Sequence, residues 1–373
     1  MSFSLADHQY MARAIKLAQK GRCTTSPNPS VGCVLVKDEK IVGEGFHLKA
    51  GAGHAEVNAL AQAGELAKGA TAYVTLEPCS HYGRTPPCAQ GLINAGVTKV
   101  IAAMVDPNPQ VSGRGLKMLA DAGIETAAPL LEADAKALNI GFIKLMETGL
   151  PYVRCKLAAS IDGKTAMASG ESQWITGDKA RADVQALRAQ SCAIITGADS
   201  VITDNAKMNV RYSQLQEPNF IEADLRQPVR VIIDSKNRLT PDLAIFQIAS
   251  PILIIREQVD DTQQWPSFVE QVIVPTALQS NQRYISLAKL LSLLAERGFN
   301  DVLVESGNRL AGAFIEQNLV NELILYQAPK LLGADSKSLL AMPAISQLAQ
   351  AKTLRFKDVT MVGDDLKITA TFN

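Results

Sequence analysis

His54-Ala55-Glu56-Val57-Asn58-Ala59-Leu60-Ala61-Gln62-Ala63 reads as a helix, Ala70-Thr71-Ala72-Tyr73-Val74-Thr75-Leu76 as a strand, and Pro87-Cys88-Ala89-Gln90-Gly91-Leu92-Ile93-Asn94-Ala95 as a second helix. Glu77-Pro78-Cys79 closes the strand. Outward from this unit the alternation continues. Asp7 to Gly21 reads as an amphipathic helix with Tyr10, Met11, Ala14, Ile15, Leu17 and Ala18 on one side. A turn-rich loop, Thr24 to Ser30, precedes strands at Val31–Val36 and Ile41–Gly45, which a polar turn joins. Val97 to Met104 reads as a strand, and Gly115–Ala122 and Glu132–Leu145 read as helices. Strands alternating with helices imply a layered α/β domain.

A second α/β series starts near Pro151, and the boundary is placed at Thr148-Gly149-Leu150-Pro151. Strands are expected at 152–160, 192–196, 229–234, 252–256, 272–274, 301–305, 322–327, 354–362 and 366–372. Helices are expected at 178–190, 287–297 and 310–317. No internal repeat or low-complexity tract interrupts the chain.

The bulk composition excludes several classes of function. The 373 residues carry 37 basic and 37 acidic side chains, so there is no basic surplus of the kind nucleic-acid binders show. Aromatic residues are 5%, too few for a platform that stacks bases. No run approaches the ~18 apolar residues of a membrane span. Asp7, His8, Arg13 and Lys16 interrupt the N-terminus, so no signal peptide is expected. Six cysteines in a chain of this length imply a reducing, cytoplasmic setting rather than a disulfide framework.

The chemistry concentrates in His54, Glu56, Cys79 and Cys88. Catalytic zinc takes three nitrogen or sulfur ligands and keeps one position for water, and one histidine with two cysteines meets that count. Bound zinc brings the pKa of its water to roughly 7. A glutamate two residues after the histidine is the proton shuttle of the nucleobase-deaminase pattern and does not touch the metal. The commonest spacing in that pattern is Cys-x2-Cys, whereas eight residues separate Cys79 from Cys88. The polar insert, Ser80 to Pro87, is a candidate wall of the substrate pocket, with His81 as a loop histidine facing solvent or substrate. Cys23, Cys33, Cys155 and Cys192 read as small buried hydrophobes.

The second half is less explicit. No Gly-x-Gly-x-x-Gly joins a strand to a helix. Glu305-Ser306-Gly307-Asn308-Arg309-Leu310-Ala311-Gly312 does open a helix after a strand, a place where backbone N–H groups suit a pyrophosphate. By itself it reads more readily as an ordinary glycine-containing strand-to-helix turn than as a phosphate site. Arg188 then reads as a solvated helix charge, Arg211 as a loop charge and Trp174 as core.

Several stretches together resemble one family, the bifunctional riboflavin-biosynthesis deaminase/reductases. They are Pro27-Asn28-Pro29-Ser30-Val31-Gly32, His54-Ala55-Glu56-Val57, Thr75-Leu76-Glu77-Pro78-Cys79-Ser80-His81, Gly83-Arg84-Thr85-Pro86-Pro87-Cys88, Asp106-Pro107-Asn108-Pro109, Lys156 to Thr176 and Val304-Glu305-Ser306-Gly307. The eight-residue gap between the cysteines is that family's own spacing. The resemblance implies a cytidine-deaminase-like three-layer domain over 1–149 and a dihydrofolate-reductase-like α/β domain over 150–373. It implies that His54, Cys79 and Cys88 bind Zn2+, that Glu56 is the proton shuttle and that Asn28 holds a phosphorylated pyrimidine. NADPH would contact Ala158, Trp174, Ser200, Asp204, Ser235 and the run Gly307, Asn308, Arg309, Leu310, Ala311, Gly312, Ala313. Substrate would contact Ser172, Arg188, Met208, Arg211 and Glu305, the arginines suiting a phosphate ester. Asp204 and Glu305 are the candidate acids for the reduction. The family usually reads Asp-Asp-Pro-x-Leu-Thr-Val-Arg where this chain has Asp204-Asn205-Ala206-Lys207-Met208-Asn209-Val210-Arg211. One charge and a stiffening proline are lost.

Two readings compete with this one. A nucleoside or tRNA deaminase with an accessory domain fits the metal motif, but the zero net charge weighs against tRNA. A second domain that binds without turnover is kept open by Asn205 and Ala206. A homodimer is expected because twofold assemblies are the commonest.

Overall fold

The computed structural model describes residues 2–372 apart from 82–85, 110, 217, 219, 280 and 281. The chain forms two compact units, Met1–Leu150 with Asn219–Leu225, and Pro151–Pro218 with Arg226–Asn373.

In chain order the first unit comprises α1 (Leu5–Gln19), β1 (Gly32–Lys37), β2 (Lys40–Phe46), α2 (Ala55–Ala63), β3 (Thr71–Val74), α3 (Cys88–Asn94), β4 (Lys99–Ala102), α4 (Arg114–Asp121), β5 (Glu125–Ala127), α5 (Glu132–Leu138) and α6 (Ile140–Thr148). The sheet runs β2-β1-β3-β4-β5, with β1 antiparallel to both neighbours and β3, β4 and β5 parallel. Side chains alternate across a strand, so β1 supplies two cores. Val34 and Val36 join Met11, Ala14 and Ile15 of α1, with Ala135 and Ile143, on one face. Cys33 and Leu35 join Ala55, Ala59 and Ala63 of α2, with Ala89, Leu92 and Leu119, on the other. The result is the expected three-layer domain.

The small residues of α2 recur every four positions and let it lie flush on the sheet. A Cβ at Gly45 would fall 2.3 Å from the Ala55 carbonyl oxygen, so only glycine fits opposite the first turn of that helix. This close approach fixes where His54 and Glu56 emerge. The turn between β1 and β2 is tighter than its sequence suggests: Asp38 and Glu39 both take positive φ, 50° and 60°, as a two-residue hairpin requires.

The single helix expected over 132–145 is instead two. Asn139 leaves helical geometry at φ −124°. Its side-chain oxygen accepts the Ser30 N–H at 2.7 Å, and its amide donates to the Ser30 carbonyl at 2.9 Å. The break in the helix therefore satisfies the buried backbone of the loop that carries Asn28.

The second unit comprises β6 (Tyr152–Ser160), β7 (Lys164–Ala166), α7 (Asp178–Gln190), β8 (Ala193–Gly197), α8 (Ala198–Asp204), β9 (Val229–Ile233), β10 (Ile252–Arg256), β11 (Val269–Ile273), β12 (Thr276–Gln279), β13 (Gln282–Ile285), α9 (Leu287–Glu296), β14 (Asp301–Glu305), α10 (Asn308–Glu316), β15 (Glu322–Ala328), β16 (Lys337–Ser338), β17 (Leu354–Val362) and β18 (Asp365–Phe372). A nine-stranded sheet runs β11-β10-β9-β8-β14-β6-β15-β18-β17. Its strands from β11 to β15 are parallel, and β18 and β17 are antiparallel additions. The central strands are continuous apolar runs, such as Val302-Leu303-Val304 in β14, because both faces are covered. Helix α8, the β12–β13 hairpin and the β7–β16 pair are elements that the sequence reading did not contain.

Candidate metal centre and reductase cleft

Three chain junctions in the first unit converge. His54 is the N-cap of α2, Cys79 follows β3, and Cys88 opens α3 after Pro87. His54 Nδ1 lies 3.2 Å from Cys88 Sγ and 3.8 Å from Cys79 Sγ. The three donor atoms all fall within 4.8 Å of one another. The Cys88 N–H donates to Cys79 Sγ at 3.2 Å, which fixes the second cysteine against the first. One nitrogen and two sulfurs at these separations suit a tetrahedral zinc with a fourth position open. His81 is exposed and stands apart from this group.

The electrostatics match a site built to hold a cation. A hydrogen bond from the Cys88 thiol, with help from His54, pulls the Cys79 thiol down to about 4, while Cys88 is pushed up in turn. The hydrogen bond to Cys79 raises His54. Glu56 stands in the first turn of α2, almost fully buried, and burial pushes its carboxyl up to about 7. A carboxyl that titrates near neutrality both accepts and returns a proton readily.

Asn28 sits one residue from this centre, through His47. Its side-chain nitrogen lies 3.3 Å from His47 Nε2, and His47 Nδ1 lies 3.1 Å from the Gly53 carbonyl oxygen. Together the two contacts define His47 protonated on Nδ1, with Nε2 accepting from Asn28. Burial lowers the pKa of His47 and favours that neutral form. Its ring packs edge-on to His54, with centroids 5.3 Å apart. His47 was missed by the sequence reading, since a lone histidine after a strand has no ligand spacing. Of the Ser80–Pro87 insert, residues 82–85 lie outside the described residues.

In the second unit the residues singled out for the cofactor gather at the carboxyl ends of four adjacent parallel strands, β9, β8, β14 and β6, the edge where open α/β sheets bind ligands. Ser235 follows β9, Ser200 and Asp204 lie on α8 directly after β8, Gly307 caps α10 after β14, and Ala158 lies near the end of β6. The Gly307 N–H donates to Ser200 Oγ at 3.3 Å, and Ser172 donates to Asp204 at 3.3 Å. Trp174 is 61% exposed under the Arg181 guanidinium, 4.6 Å from the ring centre, and does not belong to the core.

Two details revise the expected roles. Within 307–313, Gly307 and Arg309 are exposed and Asn308 is half-buried, whereas Ala311 and Gly312 are buried. A Cβ at Gly312 would lie 2.4 Å from the Ala341 carbonyl oxygen. That glycine therefore answers a close approach of chain rather than a phosphate. Met208 packs among Ile194, Val201 and Ile232 at φ 52°, so its side chain faces the core and it offers only backbone to a ligand.

Glu305, at the end of β14, meets Arg188 of α7 in a two-pronged ion pair, both contacts 2.8 Å. Arg188 also donates to the Asn209 carbonyl at 2.9 Å, and Lys156 Nζ stands 3.9 Å from Glu305. Burial alone would raise the Glu305 carboxyl, but the charge and hydrogen bonds of Arg188, then Lys156, hold it at about 2. Arg211 donates its backbone N–H to Gln185 at 3.0 Å, and its guanidinium has no ion-pair partner among the described residues. Burial and the neighbouring charges of Arg188 and Arg181 lower its pKa. An unpaired guanidinium among other cations is a place for a phosphate. The departure at 205 has a local reason. Asn205 caps α8 in the left-handed region at φ 43°, which Asn tolerates, and its side-chain oxygen accepts the Ala244 N–H at 2.9 Å.

The sequence signature of the cytidine and deoxycytidylate deaminase zinc-binding region matches residues 5–104. That of the RibD C-terminal domain matches residues 151–368. The molecule is thus a zinc-type deaminase joined to a reductase. The riboflavin biosynthesis protein RibD of Escherichia coli is 52% identical over 97% of this chain and 98% of its own. That of Haemophilus influenzae is 52% identical over 100% of this chain and 99% of its own. Among solved structures, Acinetobacter baumannii RibD superposes with a TM-score of 0.90 at 44% identity, covering 99% of both chains. The Thermotoga maritima diaminohydroxyphosphoribosylaminopyrimidine deaminase/5-amino-6-(5-phosphoribosylamino)uracil reductase superposes with a TM-score of 0.85 at 32% identity, covering 99% of both chains. The chain belongs to the RibD family of riboflavin-biosynthesis proteins. It is a bifunctional enzyme of that pathway, with Zn2+ serving the deaminase and NADPH the reductase. No helix among the described residues is long and apolar enough to cross a membrane.

Proposed function

We propose that residues 1–149 hydrolytically remove the 2-amino group of 2,5-diamino-6-(5-phosphoribosylamino)pyrimidin-4(3H)-one. Residues 150–373 then reduce the ribosyl chain of the product to ribityl, giving 5-amino-6-(5-phosphoribitylamino)uracil. The observation that supports the first step is the convergence of His54, Cys79 and Cys88 within 4.8 Å beside a buried Glu56. These three side chains would hold the zinc, which supplies a Lewis acid that makes water nucleophilic near neutral pH. Glu56 takes a proton from the attacking water on its carboxylate oxygen. It passes that proton to the ring nitrogen, then takes the second proton from the hydroxyl added to the ring carbon and hands it to the departing amine, which leaves as ammonia as the carbonyl forms. Asn28, steadied by His47, orients the pyrimidine.

For the second step, Ala158, Trp174, Ser200, Asp204, Ser235 and the start of α10 at Gly307-Asn308-Arg309 form the NADPH side of the cleft. Ser172, Arg188, Glu305, Arg211 and the Met208 backbone form the substrate side. The bound nicotinamide supplies the hydride, and the protein holds the sugar carbon at near-attack distance from it. Asp204 is the carboxyl at hand to serve the sugar oxygen. Glu305, ionised in its pair with Arg188 and held at about 2, has no proton to give near neutral pH and so anchors the substrate side instead. Arg188 anchors Glu305 and leaves Arg211 to grip the phosphate. A homodimer and a cytoplasmic location complete the reading, the latter in keeping with six cysteines that form no disulfide.

Arg211→Ala tests the substrate side. The Michaelis constant for the phosphorylated substrate of the reductase is expected to rise by roughly tenfold or more, as loss of a charged hydrogen bond worth about 1.5–3 kcal/mol implies. Zinc content and ammonia release stay unchanged. An unaltered constant would remove Arg211 from the phosphate site.

A further inference from the structure

Glu77 lies two residues before Cys79 and is nearly fully buried, yet it has no partner of opposite charge among the described residues. Its carboxylate is instead surrounded by backbone donors. Oε2 accepts the N–H groups of Asp106 at 3.1 Å and Gly113 at 2.9 Å. Oε1 accepts those of Gly115 at 2.8 Å and Leu116 at 3.2 Å. All four donors come from the segment between β4 and the first turn of α4. A carboxylate offers about four lone-pair sites, so its capacity is filled, and the positive end of α4 supports its charge.

Two glycines make this arrangement possible. Gly113 takes φ 76°, in the left-handed region, and so turns its N–H toward Glu77. At Gly115 a Cβ would lie 1.9 Å from the Pro78 carbonyl oxygen and 3.2 Å from Glu77 Oε1. The peptide just before Cys79 is therefore pressed directly on the start of α4. The segment that Glu77 gathers also carries Asp106, whose carboxyl is near enough to Cys79 and His81 to feel their charges. One buried side chain thus ties the strand end that presents a sulfur ligand to the loop that stands beside it.

The geometry points to Glu77 as a positioning residue of the deaminase: through its four backbone hydrogen bonds it fixes both the Cys79 ligand and the backbone at Asp106 and Gly113 beside it. It touches neither metal nor substrate. The inference rests on Cys79 as a zinc ligand, which loss of zinc from Cys79→Ala tests separately.

The experiment uses the full chain carrying Glu77→Gln, which keeps the size of the side chain but replaces one acceptor oxygen with a donor that faces backbone N–H groups. Reduction of the deaminated compound, supplied directly, reports on the second unit and is expected to be unchanged. Zinc affinity, measured by competition with a chromogenic chelator, is expected to fall by about 10–100-fold, the usual cost of losing support behind a ligand. The visible spectrum of the cobalt-substituted protein is expected to shift, and the Michaelis constant for deamination at saturating zinc is expected to rise. Should the first unit of that variant fail to fold, Glu77→Asp, which keeps the charge but loses reach, takes the same measurements. A variant that melts earlier but keeps the wild-type zinc affinity, cobalt spectrum and Michaelis constant would overturn the inference and leave Glu77 a purely structural clamp.

Discussion

Glu56→Gln is expected to retain zinc and to lose deamination by at least about a hundredfold, the lower end of what a positioned acid–base group contributes. The amide has the same shape, so α2 keeps its place against Gly45 and the three ligand atoms keep theirs. What disappears is the proton carrier. In the wild type, burial sets the Glu56 carboxyl at about 7, so it exchanges a proton at little cost on either side of neutrality. The amide carries none. Ammonia release and zinc content, measured on one sample, check the prediction, and reduction of the deaminated compound serves as an internal control. Deamination near the wild-type rate would sink the assigned role.

Arg188→Ala is expected to be the most destabilising change at the reductase cleft. It leaves Glu305 buried with its bidentate partner gone and, as cations, Lys156 at 3.9 Å and the charge of Arg211 acting without a close contact. Breaking a buried ion pair from one side costs about 3–5 kcal/mol, because the remaining charge is uncompensated. The pH dependence has a definite sign. In the wild type Glu305 is held at about 2, below its ordinary 4.5. The stability it contributes is present above pH 4.5 and is lost as the pH falls through about 2. Without Arg188, burial raises the carboxyl instead, and such a group favours the folded state only while it is protonated. The gap between wild type and variant is therefore wide at neutral pH and narrows in acid. Denaturant unfolding of the second unit at pH 7 and near pH 4.5 measures it. A gap that is small, or the same at both pH values, would contradict the account, as would retained NADPH oxidation.

The sequence made the metal centre legible because zinc restricts residue types so tightly. One histidine and two cysteines near a His-x-Glu leave few other readings. The α/β alternation was equally plain, as strands such as 301–305 and 354–362 coincide with β14 and β17. What escaped were features whose meaning depends on partners far along the chain. His47 gains its place from Asn28 and Gly53. Glu77 draws its four donors from residues 106–116. Asn139 breaks a helix whose apolar spacing runs on, because it serves Ser30, 109 residues away. Residues 219–225 group with the first unit, where Asp224 pairs with Lys49 at 2.9 Å, and nothing in their composition signals it. Gly312 and Met208 show the converse: motif position suggested ligand contact, whereas the close approach of Ala341 accounts for the glycine and the core takes the Met208 side chain, leaving its backbone to a ligand.

The central claim is that one chain deaminates first and reduces second. The direct measurement supplies the diaminopyrimidinone ribosyl phosphate to zinc-quantified protein, with and without NADPH, and follows ammonia release and NADPH oxidation together. The account predicts ammonia in both cases, with NADPH consumed only after ammonia appears. NADPH consumed ahead of ammonia, or no ammonia from fully zinc-loaded protein, would contradict it.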